Sequence, residues 1–237
     1  MLLIDTKLKN ITYVGALPVK GFLFKDDLNC LWLGALKNLY KFNQADKDFH
    51  EFKVGNNIFS NGVTCIRQLP NNIFTIGIRF SGVALMKDTS VIATITEKEG
   101  LLDNSIKYLL PDGNRLWVAT PKGISAITFT SYNPIAYNIK NFGDNAGLGN
   151  QIIYQLIKFK GNVLAATSKG IYEITDVEKL LQEKPIPIPL YITNINSYKG
   201  DTSGISSITV PYNYSRVTVK FNAICFNTPK RYNTFIV

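Results

Sequence analysis

The stretch RLWVATPKGISAI, residues 115–127, sets Trp117 six positions ahead of Gly123 and flanks a Thr-Pro-Lys-Gly turn with apolar-rich runs. Short apolar or alternating runs on either side of a tight turn are the mark of a β-hairpin. The arrangement recurs. CLWLGALKNLYKF (30–42) stands upstream and NVLAATSKGIYEI (162–174) downstream, each with a large apolar residue six positions before an Asn or Gly. NIFTIGIRFSGVALM (72–86) is a weaker copy that reads as carrying two extra residues before its glycine.

With Asn38, Gly82, Gly123 and Gly170 as markers, the separations are 44, 41 and 47 residues, the period of a four-stranded propeller blade. A further strand-like run precedes each later marker: GVTCIRQL (62–69), NSIKYLL (104–110) and NQIIYQLIKF (150–159). The polar turns that follow, PNN (70–72), PDGN (111–114) and KGN (160–162), supply the residues that tight hairpins need at positive φ. Glycine, and next best asparagine, suits the marker because a left-handed backbone is cheap there only for these residues. Trp32, Phe74, Trp117 and Leu164 are then expected to fill the space between neighbouring blades.

These residues resemble the two-component regulator propeller repeat, whose units read as an apolar strand, D-x-x-G-N, L-W-[IV]-[GA]-T and then G-[LI]. IKYLLPDGNRLWVATPKGISAI (106–127) matches almost throughout, and LWLGALKNLYKF and VLAATSKGIYEI match in part. The resemblance covers residues 1 to about 175. After it, TDVEKLLQEK (175–184) reads as a short helix with Thr175 as N-cap and Glu178 three residues on, stopped by Pro185 and Pro187. The segments 185–200 and 206–237 read as strands. The Pro-rich entry, RVTVKFNAICF (216–226) and the stretch from Pro229 to Tyr232 resemble the start of the triple-tyrosine, or Y_Y_Y, domain. Phe226 departs from that family in standing where a Tyr is common. Such a sandwich runs to about 100 residues, so 184–237 holds only its beginning.

The expected architecture is therefore all-β: about four propeller blades over 1–183, part of a larger propeller, followed by an incomplete β-sandwich over 184–237. The resemblance implies the periplasmic sensor region of a histidine kinase, with the kinase outside this chain. It also implies an oligosaccharide ligand, a homodimer in the intact sensor, and a membrane tie only through other parts of the parent protein. Two other classes stay open: a secreted lectin-like propeller or polysaccharide-acting enzyme, and a purely structural dimerisation or relay module.

Composition narrows these classes. The 237 residues are 46% hydrophobic, enough for an ordinary core, and no apolar run approaches the 18 residues of a membrane helix. The net charge of +9 comes from scattered Lys and Arg with no basic run, so a solvated surface is expected and no nucleic-acid partner. Cys30, Cys65 and Cys225 form no CxxC and leave one over, which points to neither a disulfide framework nor zinc. No D-x-D or H-E-x-x-H set is present, so neither a metal nor another cofactor is expected. His50 and the carboxylates of DKDFHE (46–51) and EKE (97–99) fall in segments expected at the rim, leaving Asp103 alone near the converging loops. No catalytic residues follow from this.

A propeller binds where the connections between blades and the second turns emerge together. Here these are Asn61, Asn104 and Asn150 entering the first strands, and Arg79, Phe80, Lys122 and Lys169 in the second turns. Amides, cations and an aromatic ring suit a hydroxyl-rich or acidic sugar.

Overall fold

The structure is a computed structural model and describes residues 2–5, 10–13, 21–54, 57–148, 151–182, 190–197, 200–202 and 218–223. Asn150, Cys225, Phe226 and the stretch from Pro229 to Tyr232 lie outside the described residues, as do the strands expected over 206–217 and 224–237. The chain divides into two compact units, Met1–Leu181 and Gln182–Val237.

The first unit opens with a hairpin of β1 (Leu2–Asp5) and β2 (Asn10–Tyr13). Sheet I follows, with β3 (Gly21–Lys25), β4 (Leu31–Ala35), β5 (Leu39–Asn43) and β6 (Asp48–Glu51). Sheet II has β7 (Val63–Leu69), β8 (Ile73–Ile78), β9 (Gly82–Lys87) and β10 (Ser90–Ile95). Sheet III has β11 (Tyr108–Asp112), β12 (Arg115–Thr120), β13 (Gly123–Tyr132) and β14 (Ile135–Phe142). Sheet IV has β15 (Ile153–Phe159), β16 (Asn162–Thr167) and β17 (Gly170–Ile174), and α1 (Val177–Gln182) comes next. Within sheets I–IV every pairing among the described residues is antiparallel and between chain neighbours, so each of these sheets is a plain meander. The second unit holds β18 (Leu190–Ser197), β19 (Gly200–Thr202) and β20 (Thr218–Ala223) in the antiparallel order β19-β18-β20. The expectation of an all-β fold holds.

Successive sheets are joined by apolar packing. Trp32 and Leu39 of sheet I meet Ile66, Phe74, Ile76 and Met86 of sheet II. Leu69, Ile73 and Leu85 of sheet II meet Leu109, Leu116, Val118 and Phe129 of sheet III. Trp117, Ala119 and Ala126 of sheet III meet Ile153, Leu156, Val163 and Ala165 of sheet IV. A strand covered on both faces must be apolar at every position rather than at alternate ones. That is why Leu116, Trp117, Val118 and Ala119 are all fully buried. The sheets meet through their first two strands, β4 and β3 with β7, β7 with β11, and β11 and β12 with β15, so they gather along that edge.

All four markers have positive φ: Asn38 at 66°, Gly82 at 78°, Gly123 at 132° and Gly170 at 134°. The first hairpin turns do as well, at Asn71 (63°), Gly113 (62°) and Gly161 (87°). At Gly82 and Gly123 the requirement is also steric. A Cβ would sit 2.2 Å from the Ile95 carbonyl oxygen in the first case and 2.2 Å from that of Phe142 in the second.

Pairing corrects the alignment of the weak copy. Thr120 pairs with Gly123 and Thr167 with Gly170, whereas in sheet II it is Ile78 that pairs with Gly82. The turn is thus longer by one residue, not two, and the position of Trp117 falls on Thr75. Phe74 points to the opposite face, towards sheet I, where its ring lies 5.4 Å from Trp32. Thr75 is fully buried, and its hydroxyl donates to the Arg67 carbonyl at 3.2 Å. Leu164 does occupy the Trp position of sheet IV, but it is only half-buried there.

The helix starts later than expected. It begins at Val177, which leaves Thr175 outside the cap position, and Glu178 instead pairs with Arg115 at 2.5 Å.

Candidate ligand-binding face

In an up-and-down meander the turn between the second and third strands and the connection to the next sheet emerge at the same end. Counted between paired strand positions, that end carries four turns: 36–37, 79–81, 121–122 and 168–169. In sheets III and IV they are built alike. The Thr120 hydroxyl accepts from Lys122 N–H at 3.3 Å and donates to the Gly123 carbonyl at 3.0 Å. The Thr167 hydroxyl accepts from Lys169 N–H at 3.1 Å and donates to the Gly170 carbonyl at 2.9 Å. A short hydroxyl side chain closing the turn on its own backbone accounts for the repeated Thr-x-Lys-Gly.

The connections between sheets lie against these turns. Asn38 N–H donates to the Phe59 carbonyl at 3.1 Å, Gly82 N–H to that of Asn104 at 2.9 Å, and Ser168 N–H to that of Ile152 at 2.9 Å. The connection after sheet I also reaches forward to sheet II. Arg79 N–H donates to the Gly62 carbonyl at 3.0 Å, and the Asn61 amide donates to the Ser81 hydroxyl at 2.8 Å. Turns and connections thus form one continuous band across this end.

The expected site residues take different roles within the band. Arg79 and Lys169 are exposed in their turns. Phe80 stands at the apex of the longest turn with its side chain 71% exposed and φ at 61°, a conformation that bulky residues rarely adopt. Asn104 is a structural turn residue, since its side-chain oxygen accepts from Glu97 N–H at 2.8 Å. Lys122 is engaged by two carboxylates, Glu97 at 3.0 Å and Asp103 at 3.2 Å. Their hydrogen bonds, that of Glu97 first, hold its pKa above the ordinary lysine value. Glu97 was expected at the rim with EKE, but the connection from sheet II to sheet III folds across this end and brings it to Lys122. The same connection is capped by Thr96, whose hydroxyl bonds to Glu99 and holds that carboxyl below its ordinary pKa.

Register adds one residue and separates another. Lys37, directly before Asn38 and exposed, is the counterpart of Lys122 and Lys169, while Arg79 lies in the lengthened turn. These cations stand one to a sheet on four successive sheets. They line a path along several sheets, which fits an extended ligand.

The other end carries the first hairpin turns and is dominated by structural carboxylates. Buried Asp26 accepts from the Trp32 indole at 2.9 Å and from Cys30 N–H at 2.7 Å. Asp112 accepts from the Trp117 indole at 3.5 Å, lies 3.7 Å from Arg115 and pairs with Lys158. An Asp five or six residues before each Trp was visible in KDDLNCLW and PDGNRLW as a signal for this anchoring. A recess of about 470 Å³ lies along the outer strand β10, lined by Val54, Ile58 and residues 89–94. Among the described residues no group of three or more His, Cys, Asp or Glu is placed to hold a metal, and no helix is long and apolar enough to cross a membrane.

The class defined by this geometry is an all-β stack of antiparallel meanders with a loop-bearing end. Among solved structures, the extracellular domain of the hybrid two-component system BT3049 from B. thetaiotaomicron is similar over 94% of this chain, at 15% identity and a TM-score of 0.51. The chain spans 38% of that domain's length. The extracellular domain of BT4673 from the same organism matches 90% of this chain and 46% of its own, at 11% identity and a TM-score of 0.36. PorZ, a surface component of the type-IX secretion system of Porphyromonas gingivalis, matches 67% of this chain and 26% of its own, at 14% identity and a TM-score of 0.46. No family model and no curated protein matches the chain in sequence.

Proposed function

We propose that this chain is part of the extracytoplasmic, periplasmic sensor region of a two-component regulatory system. In this reading sheets I–IV are propeller blades, the second unit is the start of a Y_Y_Y-type sandwich, and the chain relays a binding event to a histidine kinase elsewhere in the parent protein. The observation that carries it is the likeness of the stack to an extracellular domain of a hybrid two-component system, joined to the repeat signature of residues 106–127. The ligand is an oligosaccharide, bound without chemical change along the band of turns, with Arg79, Lys122 and Lys169 donating to its hydroxyl or acidic groups. The intact sensor acts as a homodimer.

A screen of the whole chain against an array of neutral and acidic oligosaccharides, followed by calorimetry with the sugar it selects, tests this reading. Hydrogen bonds to charged groups contribute about 1.5 to 3 kcal/mol each. The Arg79→Ala, Lys122→Ala, Lys169→Ala triple variant should therefore bind at least about tenfold more weakly. Lys47→Ala, in the turn between β5 and β6, should bind as the parent does. A screen without any bound sugar, or unchanged affinity in the folded triple variant, would overturn it.

A further inference from the structure

We propose that the lengthened turn of sheet II is the specificity element of this face, with Phe80 as the platform on which one sugar ring of the ligand stacks. This rests on the sugar-binding reading above and assigns its recognition to one turn.

Four turns occupy equivalent places at this end, and three of them span two residues between paired strand positions. Only Arg79-Phe80-Ser81 is longer, and the extra residue lets an aromatic side chain stand at the apex. A left-handed backbone at a non-glycine residue is strained and persists where the surroundings hold it. Here they do. Arg79 N–H is tied to Gly62 and Ser81 to Asn61, so both flanks of Phe80 are pinned to the incoming connection. The strained conformation gains no packing in return, since Phe80 is among the most exposed large apolar side chains described. An exposed aromatic ring on a held turn, beside a guanidinium, an amide and a hydroxyl, fits a ligand with an apolar face and a polar edge, which is the form of a pyranose ring. The other turns present cations without an aromatic neighbour and serve the remainder of the chain of sugars.

Strain and recognition can be separated in one experiment. Asparagine tolerates the left-handed conformation and lacks the ring. Phe80→Asn in the full chain should therefore keep or raise the melting temperature while weakening binding of the array-selected oligosaccharide about tenfold. That is the worth of roughly 55 Å² of apolar surface at about 25 cal/mol/Å². Phe80→Trp should bind within about twofold of the parent, because a ring is retained. If the triple cation variant loses affinity while Phe80→Asn does not, the platform is wrong and the sugar-binding face stands. If Phe80→Asn binds weakly but Phe80→Trp binds as weakly, the ring is not the feature being read and the proposal fails. If no array sugar binds, the face itself is wrong and the platform with it.

Discussion

Sheets II and III share a backbone and differ in how they fill it. At one register position sheet III has Trp117 and sheet II has Thr75, both fully buried. In sheet III the indole enters the packing with sheet IV. Sheet II instead sends Phe74 from its opposite face against Trp32, and its Gly77 leaves room that Ile106 and Cys65 occupy; a Cβ there would lie 2.7 Å from each. The repeat therefore conserves strand pairing and turn geometry, and volume is redistributed between the neighbouring layers.

This contrast is broken most strongly at the aromatic position. Trp117→Ala should cost about 3 to 5 kcal/mol in denaturant titration, because the ring is enclosed between two sheets. Thr75→Ala should cost only about 1 kcal/mol, the worth of its hydrogen bond to Arg67. Comparable losses at the two positions would mean that the register assigned to sheet II is wrong.

The next effect compares a sheet with a fourth strand to one without it among the described residues. Gly123 is pressed by the last carbonyl of β14, while nothing lies within 4 Å of a Cβ built on Gly170. Gly123→Ala should cost about 3 kcal/mol from clash and strain together, and Gly170→Ala about 1 kcal/mol from strain alone. Equal costs would show that the fourth strand does not press on the marker.

At the opposite end, Asp26 and Asp112 perform the same service under different geometry. Asp26→Ala should cost about 2 kcal/mol, because it leaves the buried Trp32 indole and the Cys30 N–H without their shared acceptor. Thermal melts of Asp26→Ala against the parent in the same buffer check this, and an unchanged melting temperature would show that the anchor carries no stability.

A further contrast is one of pH. Burial pushes the Cys65 thiol from 9.0 up to about 11. The neutral thiol is favoured by the fold, so its contribution is complete below pH 9 and lost as pH rises towards 11. Denaturant midpoints should fall over that window, and fall less steeply in Cys65→Ala. Labelling by iodoacetamide at pH 8 should reach Cys65 only after unfolding.

The repeat was legible from sequence because its markers are backbone requirements. Asn38, Gly82, Gly123 and Gly170 announce positive φ whatever surrounds them. Phe74 misled because it was matched by type, whereas a strand is read by parity, and one added turn residue reverses which face a side chain takes. The site was only partly legible. Lys122 and Lys169 could be placed in turns, and Lys37 was open to the same reading. The ion pairs of Lys122 could not be foreseen, because spacing along the chain does not tell how the connection carrying Glu97 and Asp103 folds back.

The central claim, that recognition belongs to the end where the second turns and connections emerge, is tested most directly by hydrogen exchange with and without saturating array-selected oligosaccharide. Protection should appear at 36–38, 79–82, 96–104, 121–123 and 168–170, with exchange unchanged at 26–30, 70–72, 112–115 and 160–162. Protection confined to the latter set would place the ligand at the Asp26 and Asp112 end and contradict the account.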